Sequence, residues 1–167
     1  MLHTAQSWKS GPIAIRYPRG KGVMPGAIQK PYKLEIGKAK VLRTGGNIAV
    51  LSIGAIGNEV SKALSMLAEE AIYVSHYDMQ SIKPLDKELL TTIFNEYSSI
   101  ITIEDGIISG GFGSAILEFK NQYELTSSIK ILGLPDHFIE HGTQKELYQE
   151  LGLDSSGIYK TIKVELR

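Results

Sequence analysis

The residues of this chain that could do chemistry fall in five short blocks. Arg16 and Arg19 flank Tyr17-Pro18 and run into Gly20. Proline fixes its backbone and stops a strand, so the block is a set turn presenting guanidinium groups, which suit bidentate phosphate binding. Two solvated charges account for these residues equally well. Gly110-Gly111-Phe112-Gly113-Ser114 and Gly54-Ala55-Ile56-Gly57 each lie between an apolar run and a helical pattern, where backbone N–H groups attract anions. Neither block meets the dinucleotide or Walker spacing. Tight turns with close helix–strand packing explain the glycines, and that reading is taken for both.

Glu104 and Asp105 end a strand-like run. Adjacent strand residues point to opposite faces, so they make a poor acid/base pair. A helix cap or an interface salt bridge is the expected role. His137 and His141 stand four apart with Asp136 and Glu140 beside them, the outline of a metal set. Ligation at that spacing needs an intact helix. Pro135 and Gly142 bracket a loop instead, and no metal is assigned.

The elements that must position these blocks follow from periodicity. Ile48 to Ile53 is a near-continuous apolar run, as in a strand covered on both faces. Val60, Leu64, Leu67 and Ala68 follow at helical spacing. A strand near Ile72–Tyr77 leads to a helix opened by Asp86, with Glu88 at its positive end. Ser99–Glu104 and Ile129–Leu132 read as the later strands, with a helix holding Ala115, Ile116 and Phe119 between them. Thr143, with Glu146 completing a capping box, and Asp154 open the last two helices. Thr44-Gly45-Gly46 between Lys40–Arg43 and Asn47–Ile53 gives a hairpin signal. This alternation predicts a three-layer α/β/α fold, with a mainly parallel sheet of about five strands and one antiparallel edge strand.

The segment from Gly11 to Pro31 is rich in Gly and Pro and reads as a linker. Ile13–Tyr17 before it is strand-like but has no partner of its own. Composition narrows the function further. Basic and acidic residues number 18 each, for a net charge of zero, so no field of one sign draws nucleic acid or an anionic membrane. Cysteine is absent, which removes disulfides and zinc–thiolate sites and fits a cytoplasmic protein. No run approaches ~18 apolar residues and no signal-peptide pattern opens the chain, so a soluble protein is expected.

Several blocks in series carry a resemblance. They are Gly11 to Gly20, Ile36-Gly37-Lys38-Ala39, Lys83-Pro84-Leu85-Asp86, Ile103-Glu104-Asp105 and Gly110 to Ser114. Leu132 to Asp136, His141-Gly142-Thr143-Gln144 and Leu151-Gly152-Leu153-Asp154 complete the set. Together they resemble the end of the 1-deoxy-D-xylulose-5-phosphate synthase family, over essentially the whole chain. The resemblance implies residues 1–22 as the tail of a pyrimidine-binding domain, 23–37 as a linker and 38–167 as a transketolase C-terminal-like domain. It implies a parent enzyme, a thiamine-diphosphate-dependent transferase, that joins pyruvate to D-glyceraldehyde 3-phosphate with loss of carbon dioxide and feeds isoprenoid and thiamine biosynthesis. Thiamine diphosphate and Mg2+ would be held by upstream domains whose motifs are missing here. This piece would serve packing and a homodimer interface, with no catalytic, cofactor-binding or metal-binding residue of its own. Aligning the superfamily's Pro-x6-Arg run from Pro12 puts the substrate-phosphate residue at Arg19, with Arg16 second choice. The rival expectations are an independent nucleotide-binding or regulatory domain using the Gly54 or Gly110 loop, and a split subunit of a transketolase-type enzyme.

Overall fold

The computed structural model describes residues 1–18 and 30–166. In chain order the elements are α1 (Leu2–Ser7), β1 (Lys40–Arg43), β2 (Ile48–Ile53), α2 (Gly57–Glu69), β3 (Ser75–Asp78), α3 (Lys87–Glu96), β4 (Ser99–Ile107), α4 (Phe112–Gln122), β5 (Ser128–Leu134), α5 (Gln144–Glu150) and α6 (Ser155–Glu165). The strands form one sheet in the order β1-β3-β2-β4-β5. β2 lies parallel between β3 and β4, and β5 extends the parallel set beyond β4.

The unbroken apolar run of β2 suits its central place, since side chains leave the strand toward both faces. Ile48 and Val50 pack with Val60, Leu64 and Leu67 of α2 and Ile158 and Ile162 of α6. Ala49 and Leu51 pack on the other face with Leu90 and Ile93 of α3 and Phe112 and Ile116 of α4. These two cores make the three-layer α/β/α sandwich that periodicity predicts. The caps behave as expected too. Asp86 accepts from Leu89 N at 3.1 Å, Asp154 accepts from Gly157 N at 2.8 Å, and Thr143 and Glu146 form the reciprocal capping box.

The hairpin is not formed. β1 pairs antiparallel with β3 rather than with β2, through Lys40↔Asp78 and Val41↔Tyr77. Both edges of β2 are already taken by parallel neighbours, so β1 completes the sheet beyond β3. Its link to β2 must therefore cross the start of β3. A Cβ on Gly46 would collide with the Tyr73 carbonyl oxygen, and Gly45 N donates to Ser75 Oγ at 2.8 Å. The glycine pair is thus set by this crossing and not by a two-residue turn.

Ile13–Tyr17 also forms no strand among the described residues. Among the described residues no strand of the sheet pairs with it, and its strand-forming residues make no ladder. α1 was not legible in the sequence, and its buried Thr4 accepts from Leu34 N at 2.8 Å, tying the first turn to the start of the α/β unit.

Candidate functional site

The C-terminal ends of β4 and β5, the turn into α4 and the segment before Pro18 meet at one corner. Glu104 lies at its centre, with only 3% of its surface exposed. Its carboxylate accepts from Phe112 N and Gly113 N, each at 2.9 Å, and so closes the N-terminus of α4. An anion at this end of a helix meets unpaired N–H groups and the positive end of the helix dipole together. Close approach sets the glycine here, because a Cβ on Gly111 would strike both carboxylate oxygens and the Ile107 carbonyl oxygen. Ser114 finishes the turn, its hydroxyl accepting from Gly110 N and donating to Ile108 O, both at 2.9 Å. The glycine block is therefore a cradle for a carboxylate of the chain itself, which is the tight-packing reading and the capping role expected of Glu104.

Asp105 points the other way. Its carboxylate accepts from the Tyr148 hydroxyl of α5 at 2.8 Å. Burial, helped by that hydrogen bond, pushes the Tyr148 phenol well above its ordinary range. The Asp105 backbone carbonyl accepts from the Arg16 guanidinium at 2.5 Å. Arg16, the second choice for a phosphate ligand, thus has its tip against the domain's own backbone. Arg19, the first choice, lies outside the described residues. His137 and His141 fall in the loop between β5 and α5, as their flanking residues predict.

A second polar pair escaped the sequence reading. Ser52 Oγ and His76 Nε2 lie 2.8 Å apart under the first turn of α2, and both residues are buried. Burial, with the nearby Arg43 cation adding to it, holds the imidazole down at about 4. A Cβ on Gly57 would meet Ser52 Oγ at 2.8 Å. The signal was present as single polar residues inside two apolar strands, but their partnership depends on the β2–β3 register. Here too the turn's amides are engaged, Gly57 N with Gly54 O at 3.2 Å and Asn58 N with Ala55 O at 3.0 Å.

These residues do not fit a diphosphate and its metal. The amides of Phe112 and Gly113 are held by Glu104, and those of Gly57 and Asn58 by their own turn. Among the described residues, no three His, Asp or Glu side chains gather as a metal-ligand group. What this corner can do chemically is bind a guanidinium and fix a helix.

The fold has relatives. A family model described as the transketolase C-terminal domain matches residues 37–158. The chain belongs to the transketolase C-terminal domain family. Among curated relatives, the 1-deoxy-D-xylulose-5-phosphate synthase of Parabacteroides distasonis is 52% identical over 165 residues, covering 99% of this chain and 26% of that protein. The synthase of Cytophaga hutchinsonii is 44% identical over 164 residues, covering 98% and 26%. The chain thus spans about a quarter of the length of the curated relatives it matches. Among solved structures, a split-gene transketolase described as an inactive beta4 tetramer has a TM-score of 0.71 at 27% identity, over 79% of this chain and 43% of that one. Transketolase from Campylobacter jejuni matches in fold alone, with a TM-score of 0.57 at 14% identity over 77% of this chain and 18% of that one.

No helix among the described residues is long and apolar enough to cross a membrane.

Proposed function

We propose that this chain is the C-terminal part of a 1-deoxy-D-xylulose-5-phosphate synthase, in which it packs against upstream domains and contributes to a homodimer interface. In that reading residues 1–22 are the tail of the pyrimidine-binding domain, 23–37 a linker and 38–167 the C-terminal domain. The full-length protein condenses pyruvate with D-glyceraldehyde 3-phosphate in the cytoplasm, releasing carbon dioxide. Thiamine diphosphate, bound with Mg2+ by the upstream domains, supplies the carbanion-stabilising thiazolium. The 167-residue chain by itself is inert, and Arg19 reaches the substrate phosphate only in the complete enzyme.

One observation carries this reading. The likeness to the Parabacteroides distasonis synthase runs over 99% of the chain, through the residues before 37 that the family model leaves out. Segment and domain together are therefore similar to that synthase in one collinear stretch.

The test has two arms. The full-length protein is assayed for carbon dioxide release and for the condensed product, and release of neither overturns the parent activity. The 167-residue chain is titrated with thiamine diphosphate in excess Mg2+, where no binding heat is expected at micromolar concentration. Micromolar binding overturns the inert role.

A second reading, a natural split subunit, draws on the likeness to the split-gene transketolase named as an inactive beta4 tetramer. Co-purification with a separate chain carrying the upstream domains distinguishes it from a single long polypeptide.

A further inference from the structure

We propose that the end of β4 is a guanidinium seat, by which the α/β domain latches the segment that precedes it through Arg16. The inference rests on the reading above only in taking residues 1–22 as belonging to the preceding domain.

The seat is built before Arg16 reaches it. Glu104 is fixed from one side by the amides of Phe112 and Gly113. Asp105 is fixed from the other by the Tyr148 hydroxyl. Between them the Asp105 carbonyl lies where the β4–β5 register shifts, between Ile103 and Ile107. At such an irregularity a backbone carbonyl is open to a donor from outside the ladder, and Arg16 Nη2 supplies one at 2.5 Å.

Gly106 leaves the room. A Cβ on it would come to 2.9 Å from Glu104 Oε2 and 3.0 Å from Arg16 Nη1. The guanidinium and the buried carboxylate therefore border the same methyl-sized space, and only a residue without a side chain keeps it open. The charge sign matches as well: a buried carboxylate next to the seat favours a cation there. Arg fits better than Lys, since one nitrogen can meet the carbonyl while the other faces the carboxylate side.

Eighty-nine residues of sequence separate Arg16 from Asp105. The contact thus couples the segment before Pro18 to the domain's central layer, and Arg16 is a positioning residue for that segment. This gives the Arg-x-x-Arg spacing a division of labour, with Arg16 holding the segment from the domain side.

Trypsin reads this directly, because it cleaves after Arg16 only when that guanidinium leaves its seat to enter the protease. In the 167-residue chain, cleavage after Arg16 is timed against cleavage after exposed Lys9 as internal reference. Gly106→Ala, which crowds the seat and leaves the segment's sequence alone, should speed cleavage at residue 16 by about three- to tenfold, the loss of one solvent-exposed hydrogen bond of ordinary strength. Arg16→Lys, which leaves the domain intact, should speed it similarly once trypsin's slower cleavage after lysine is divided out with Arg and Lys peptides of residues 10–22. The rate at Lys9 should not change. Wild-type relative rates in either variant overturn the latch. The proteolysis requires no catalysis, so a chain that passes this test while its full-length form makes no product sinks only the synthase reading.

Discussion

The Glu104 carboxylate lies 2.9 Å from the amide nitrogen of Gly113, nine residues further along the chain. A strand end and a helix start are thereby bolted together by one buried anion. Removing it strands two donors at the head of α4, each of which costs about 1–3 kcal/mol when left unsatisfied. Glu104→Ala should therefore destabilise the domain by about 2–4 kcal/mol in urea unfolding. Glu104→Gln keeps an acceptor and should cost less than half of that.

His76 makes stability depend on pH. Its folded value of about 4 lies below the ordinary 6.5, so between those limits the unfolded chain binds more protons than the folded one. Stability is then full above 6.5 and is lost as pH falls toward 4. The loss attributable to this residue is about 3 kcal/mol at most. His76→Gln should flatten that part of the profile of unfolding free energy against pH, and an unchanged slope would show that other groups carry it.

Arg19 is expected in the substrate-phosphate site of the full-length enzyme. Arg19→Ala should raise the Michaelis constant for glyceraldehyde 3-phosphate by the equivalent of about 2–3 kcal/mol, as for a lost charged partner. Pyruvate has no phosphate and should bind nearly as before. Arg16→Ala should do much less, since its guanidinium is held by the Asp105 carbonyl. Equal losses in the two variants, or equal losses for both substrates, defeat the assignment.

The isolated chain should self-associate. Tyr17, Tyr73 and Phe138 are exposed, as are Val41 and Leu42 on the edge strand β1, and a net charge of zero gives little repulsion. Light scattering at micromolar concentration should report a dimer or larger species. A monomer that persists at high concentration contradicts this.

Most of the framework was legible because it is written locally. The two-faced run of β2, the helical spacing of α2 and the caps at Asp86, Thr143 and Asp154 each depend on residues within a few positions. Pairing is a different matter. Thr44-Gly45-Gly46 has the composition of a hairpin turn, yet the partner of β1 was decided by competition for the edges of β2, which no local pattern records. Glu104 could be suspected as a cap, but its donors at Phe112 and Gly113 depend on how α4 folds back onto β4. The Ser52–His76 and Asp105–Tyr148 contacts depend likewise on tertiary placement. Ile13–Tyr17 shows the opposite case: its residues favour a strand, yet among the described residues it pairs with no strand of the sheet.

The central place of β2 also has a kinetic consequence. Its two flanking ladders close at different moments, because β3 arrives once α2 is made and β4 only after α3 as well. On a ribosome adding about 5–20 residues per second, roughly 1–5 s separate the appearance of Asp78 from that of Glu104. For that interval a largely apolar strand has one raw edge. Chaperone demand for this domain should therefore concentrate on the nascent chain between those two residues.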